Sequence, residues 1–216
     1  MTKILKDEKT DRVLAEIEVL NYTPNPVETV LQASGAAYNK DATSRLAVLM
    51  GDTFHESPFR HAHFTFRLKL PLYIFRQLQR SEVGRDFVER SLRYTKIQSS
   101  EDFFWTKDYE KDYIERSIEI YKSSIELYKE DNGQGLKAEE ARRILPQSMF
   151  VTTVMTVSLS WLLRLLETRV YNPAAQPNTR KIAMFIIQSI SNEVENSNLL
   201  YEVFNPYARK YLNTDV

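Results

Sequence analysis

Apolar and polar positions along this chain follow two periods. Residues 13–20 (VLAEIEVL) alternate with a period of two, as a half-buried strand does, whereas 26–33 and 42–50 have apolar residues at helical spacing, with Asp41 as a cap for the second helix. Residues 61–70 (HAHFTFRLKL) set Ala, Phe, Phe, Leu and Leu against His, Thr, Arg and Lys; this predicts another strand, with His61 and His63 on one face. Pro71 ends that strand and opens a helix carrying Arg76, Gln77 and Arg80. From Asp108 to about Glu130, the residues Tyr113, Ile114, Ile118, Tyr121, Ile125 and Leu127 predict one packed helical stripe, closed by Gly133 and Gly135. Tyr109, Tyr113, Tyr121 and Tyr128 read as packing residues of the same helix. A short helix over 138–144, a β-branched strand over 149–157, a helix over 158–168 and a long helix over about 178–193 complete the chain. Strands separated by helices of unequal length, without a regular βαβ rhythm, imply an α+β fold rather than a doubly wound sheet.

Composition narrows the functional classes. A chain of 216 residues, 43% hydrophobic and 12% aromatic, can bury one substantial core, so residues 1–216 are expected to form a single domain. The 29 basic and 29 acidic residues cancel, which argues against nucleic acid or an anionic membrane as the main partner. The longest apolar stretches are interrupted by Ser160, Arg164 and Glu167, and the first twelve residues lack an apolar core of signal-peptide length; a soluble, cytoplasmic protein is expected. With no cysteine there is neither disulfide nor thiol nucleophile. His55, His61 and His63 have no acidic or cysteine partners at fixed spacing, so no metal site is expected.

Two blocks of residues carry a stronger signal. The first comprises His55-Glu56-Ser57-Pro58-Phe59, His61, Phe64-Thr65-Phe66, Pro71, Arg76-Gln77, Arg80, Glu89, Ser91, Arg93 and Tyr94. The second comprises Glu140-Ala141-Arg142, Leu145-Pro146, Arg169, and Ala175-Gln176 followed by Arg180. In order and spacing they resemble the flavin-dependent thymidylate synthases, from about residue 25 to 190. That family's Arg-His-Arg signature reads Arg80-Ser81-Glu82 here, and its Asn-x-Arg at a strand-to-helix junction reads Ser158-Leu159-Ser160.

The resemblance implies an antiparallel sheet with flanking long helices, and a homotetramer whose active sites form between subunits. It implies that Gln77, Glu89, Ser91, Arg93, Arg142 and Arg169 hold deoxyuridine monophosphate (dUMP), with Ser91 and Arg169 as the catalytic pair. Arginine suits this work because its planar fork grips phosphate or paired carbonyls bidentately. The cofactor side falls on His55, Ser57, Arg80, Ser81, Glu82, Arg85 and Arg164, for flavin adenine dinucleotide (FAD) and methylene-tetrahydrofolate. One extra residue between Arg80 and Ser91 supplies Arg85, a cation able to offset Glu82 beside an anionic cofactor. The implied reaction transfers a one-carbon unit to C5 of dUMP with flavin-mediated reduction. Two alternatives share the fold: a flavin-independent pyrimidine deoxynucleotide hydroxymethylase, and a non-catalytic nucleotide-binding paralogue.

Overall fold

The computed structural model describes residues 1–38, 56–81, 83–92, 95, 97–130 and 135–191. Among them, five strands form one antiparallel sheet: β1 (Lys3–Lys6), β2 (Val13–Tyr22), β3 (His63–Pro71), β4 (Arg85–Glu89) and β5 (Phe150–Ser158), in the order β1-β2-β3-β5-β4. The helices are α1 (Pro26–Tyr38), α2 (Leu72–Leu78), α3 (Asp108–Glu130), α4 (Ala138–Ala141), α5 (Leu159–Leu165) and α6 (Pro177–Ser191). This is the α+β architecture expected. The helix expected over 42–50 lies outside the described residues, as does the expected break at Gly133.

Alternation decides which face of the sheet is buried. Phe64, Phe66, Leu68 and Leu70 of β3 and Val151, Met155 and Val157 of β5 are almost fully buried, and they meet Phe75 and Leu78 of α2, Trp161 of α5 and Ile186 of α6 in the core. Burial of each phenylalanine contributes about 2 kcal/mol of hydrophobic stabilisation. The opposite face carries cross-strand ion pairs at exact register: Lys69 to Glu16 and Arg67 to Glu18, each at 2.6 Å.

Three expectations need correction. His61 is not in the strand, because Pro58 opens a single 3-10 turn (Pro58–His61) that delays β3 until His63. On α3, Ile114, Ile118 and Tyr121 are buried, but Tyr113 and Leu127 are 64% and 50% exposed. Together with exposed Tyr109 and Ile120 they form a second stripe turned well round the helix from the packed one, so Tyr109 and Tyr113 are not core residues. The helix after β5 does not stay α-helical through 168: α5 gives way to a π-helical segment, Leu166–Tyr171, which carries Arg169. Such wide turns shift the following side chains off the α-helical spacing and recur at functional sites.

Candidate active site

The site is built on α2, a two-turn helix anchored by buried Ile74, Phe75 and Leu78. The remaining positions place Arg76 outside and Gln77 half-buried at the helix end. The Gln77 amide Nε2 donates to Oε1 of Gln176 at 2.7 Å, across 99 residues of sequence. Arg169, on the π-helical segment, donates from Nη2 to the Gln77 carbonyl at 3.2 Å and from Nη1 to the Thr168 carbonyl at 3.4 Å. The same Gln77 carbonyl accepts the backbone N–H of Arg80 at 3.4 Å. Burial lowers the pKa of Arg169, and the neighbouring Arg80 charge lowers it further. Among the described residues neither guanidinium has a carboxylate partner. Like charges gathered without a counter-ion favour an anionic ligand. Gln176 itself is steadied by Arg180, whose Nη2 donates to the carbonyls of Asn172 (2.9 Å) and Pro173 (3.3 Å) in the loop before it.

A second group lies around Glu89, the last residue of β4. Burial raises its pKa, while the charges of Arg76 and Arg142 oppose that rise. Arg142 is braced by a bond from its Nε to the Glu139 carbonyl at 3.0 Å, just past the end of α4. Ser91 opens the turn after β4, and its carbonyl takes both the backbone N–H (3.2 Å) and the hydroxyl (2.9 Å) of Thr95. Thus Gln77 and Arg169 are brought together by direct bonds, Glu89 and Arg142 by their fields, and Arg76 of α2 ties the second group to the first. Arg93 lies outside the described residues.

The residues read as the cofactor side behave differently. His55 and Glu82 lie outside the described residues; Ser57 and Arg80 are exposed. Arg164 forks onto Glu56, with Nε to Oε1 and Nη2 to Oε2 both at 2.8 Å. Arg85 points into the protein: its Nε donates to the Ser81 carbonyl at 2.7 Å, its Nη2 to the Gln79 carbonyl, and its guanidinium lies 5.2 Å from the centre of the Phe87 ring. Ser158 and Ser160 are 1% exposed and bonded to each other at 3.0 Å, and Ser158 Oγ also accepts the Trp161 backbone N–H at 3.3 Å as the cap of α5. Gly84, at φ +82°, packs so closely on this pair that a Cβ there would lie 2.3 Å from Ser158 Oγ.

Sequence reasoning missed three members of this arrangement. Gln176 was visible as half of an Ala-Gln pair, Arg76 as the neighbour of Gln77, and Trp161 only as an apolar residue beside Ser160. Its indole Nε1 donates to the Ser81 carbonyl at 3.0 Å. Separate from the arginines, a cleft of about 750 Å³ is lined by Tyr73, Phe104, Tyr109, Tyr113 and Asn178, among others.

A five-stranded antiparallel sheet flanked by helices, with Arg80 and Arg169 at the end of α2 and no carboxylate partner for either among the described residues, defines an α+β protein. The chain belongs to the thymidylate synthase complementing protein family, whose model matches residues 18–194. It is 27% identical over 205 residues to the flavin-dependent thymidylate synthase of Thermotoga neapolitana, covering 90% of this chain and 92% of that one. It is 32% identical over 134 residues to the enzyme of that name from Thermosipho africanus, and this match spans only 53% of the chain and 58% of the relative. In fold it is similar to thymidylate synthase X (ThyX) from Helicobacter pylori, solved with FAD and dUMP, at a TM-score of 0.67 and 18% identity, over 90% of this chain and 99% of that one. It is equally similar to the UMP/dUMP methylase PolB from Streptomyces cacaoi, solved with 5-Br UMP, at a TM-score of 0.66 and 18% identity, over 96% and 98%.

Proposed function

We propose that this chain is a flavin-dependent thymidylate synthase, which transfers a one-carbon unit from methylene-tetrahydrofolate to C5 of dUMP. The observation that carries this reading is the Arg169 guanidinium on the Gln77 carbonyl that also takes the backbone N–H of Arg80, with no carboxylate partner for either arginine among the described residues. Family membership supplies the chemistry such an anion site serves. In this reading Arg169 and Arg80 hold the nucleotide's anionic and carbonyl oxygens, Gln77 and Gln176 fix its orientation, and Ser91, Arg93 and Arg142 close the site beside Glu89. The protein's part is to position the reactants and stabilise developing charge, for which a cysteine-free chain is sufficient.

FAD, when bound, supplies the reducing equivalents that complete the methyl group. Ser57, an exposed hydroxyl, fits such a cofactor and would hold it, while Arg80, read as a cofactor residue from the sequence, is assigned here to the nucleotide. Arg85, Arg164, Ser158 and Ser160 are engaged within the protein by the bonds described above. A homotetramer accompanies this proposal, supported by the exposed Tyr109, Tyr113, Ile120 and Leu127 of α3, an apolar stripe suited to burial against another copy. Sedimentation should return four times the 25.3 kDa chain mass.

The function is tested by recording the visible spectrum of the purified protein after loading with FAD and desalting, then assaying formation of thymidylate. A retained flavin band and thymidylate that depends on methylene-tetrahydrofolate are expected. Arg169→Ala should weaken dUMP binding about 100-fold, as loss of a charge-assisted contact to a desolvated anion does. A colourless protein with no affinity for dUMP would overturn the proposal.

A further inference from the structure

We propose that Arg85 and Trp161 are positioning residues, clamping the turn between α2 and β4 so that Arg80 is presented beside Arg169 to the nucleotide. This rests on the nucleotide reading above. The carbonyls that follow a helix end have no partners within the helix and must find them elsewhere. Here the Arg85 fork takes the Gln79 and Ser81 carbonyls together, while the Trp161 indole N–H takes the second lone pair of the Ser81 carbonyl. At the far side of the turn the Gly84 carbonyl accepts the Ser158 N–H at 2.7 Å. Arg80 therefore stands between two residues whose carbonyls are held, and its own N–H is directed at the Gln77 carbonyl that also receives Arg169. The backbone is pinned on both sides and the side chain is left exposed.

This geometry assigns Arg85 a different task from that of a cation facing a ligand. Its Nε and Nη2 both donate to backbone oxygens, and its guanidinium carbon lies 5.2 Å from the centre of the Phe87 ring. A lysine would keep the charge, yet its single nitrogen lacks the rigid planar fork whose separate Nε and Nη2 donors reach the two carbonyls. The clamp does for Arg80 what a repulsive contact with Arg169 would otherwise undo: it holds two like charges side by side before the anion arrives.

The test is dUMP affinity by isothermal titration calorimetry on the full-length protein loaded with FAD, for wild type, Arg85→Met, Arg85→Lys, Trp161→Phe and Arg80→Ala, with Arg80→Ala also made in the Arg85→Met background. Arg85→Met and Arg85→Lys should each raise Kd about tenfold, the loss typical of a charge-assisted hydrogen bond, and Trp161→Phe should act in the same direction. In steady state KM should rise with kcat nearly unchanged. Arg80→Ala should cost much less in the Arg85→Met background than in the wild type, because both changes remove the same presented guanidinium. Wild-type affinity in Arg85→Lys beside a loss in Arg85→Met would make Arg85 a simple charge and overturn the clamp; so would full additivity with Arg80→Ala. Hydrogen exchange of the peptide containing Gln79 and Arg85 reads the clamp without nucleotide: faster exchange in Arg85→Met and Trp161→Phe is expected, and unchanged exchange would overturn it. A wild type that binds no dUMP would instead remove the nucleotide reading, and with it the positioning role.

Discussion

The charge state of Glu89 couples to the fold. Half-buried at the end of β4, it is easier to protonate in the folded protein than in the unfolded chain, because burial outweighs the attraction of Arg76 and Arg142. The folded state then holds more protons than the unfolded one from the ordinary glutamate range up to the raised pKa, and stability falls as pH rises through that window. Glu89→Gln removes the ionisation, so its melting temperature relative to the wild type should be higher at pH 7 than at pH 4. Paired thermal melts at the two values check this, and an equal difference at both would show that Glu89 ionises without cost. Arg85 shows where residue-level reading of a sequence stops. A cation is legible, but its acceptors are main-chain oxygens, which look the same at every position, so nothing in the string separates a guanidinium that holds a ligand from one that holds a turn.

At the scale of elements, Gly84 joins the turn after α2 to the junction of β5 and α5. It needs a left-handed φ, and it leaves no room for a Cβ against Ser158. Gly84→Ala should cost about 3 kcal/mol, combining backbone strain with overpacking. Adding Ser158→Ala should recover the overpacking part and leave about 1 kcal/mol of strain beside about 1 kcal/mol for the lost cap of α5, which Ser158→Ala alone measures. Denaturant melts of the single and double variants separate the two contributions. The same scale explains which elements were legible. Helix α3 runs from Asp108 to Glu130 as read, because 23 residues of amphipathic pattern with two acids in the first turn are a local signal. Strands β3 and β5 announce themselves by alternation. Strands β1 and β4 were not read: they have four and five residues, each pairs along one side only, and their stability comes from partners distant in sequence. The second stripe on α3 was misassigned because Tyr113 and Leu127 are apolar like the packed residues, yet at 3.6 residues per turn they lie well round the helix from Ile114, Ile118 and Tyr121, so the two sets never shared one face.

For the whole molecule, the fold class and the joining of Gln77 to Arg169 across 92 residues both follow from how the two motif blocks are folded onto α2. The sequence marked the blocks by resemblance; the carbonyl of Gln77 as their meeting point had no signal in it. Because the chain is neutral overall, the proposed nucleotide binding would rest on this local concentration of arginine rather than on a general field. On that proposal, dUMP at a hundred times its Kd should add about 2.7 kcal/mol to stability, raising the melting temperature by about 5–10 °C. Arg169→Ala should lose that rise while melting close to the wild type without ligand. Thermal shift with and without dUMP distinguishes the two.

The contact between Gly84 and Ser158 also orders history. A side chain at 84 and the hydroxyl at 158 compete for one volume, so the two positions change as a unit. A lineage that places a side chain at 84 must first lose the hydroxyl at 158; the reverse order passes through an overpacked turn. Sequences with glycine at 84 and alanine at 158 are therefore the intermediates to look for, and those with a side chain at 84 beside a serine at 158 should be scarce.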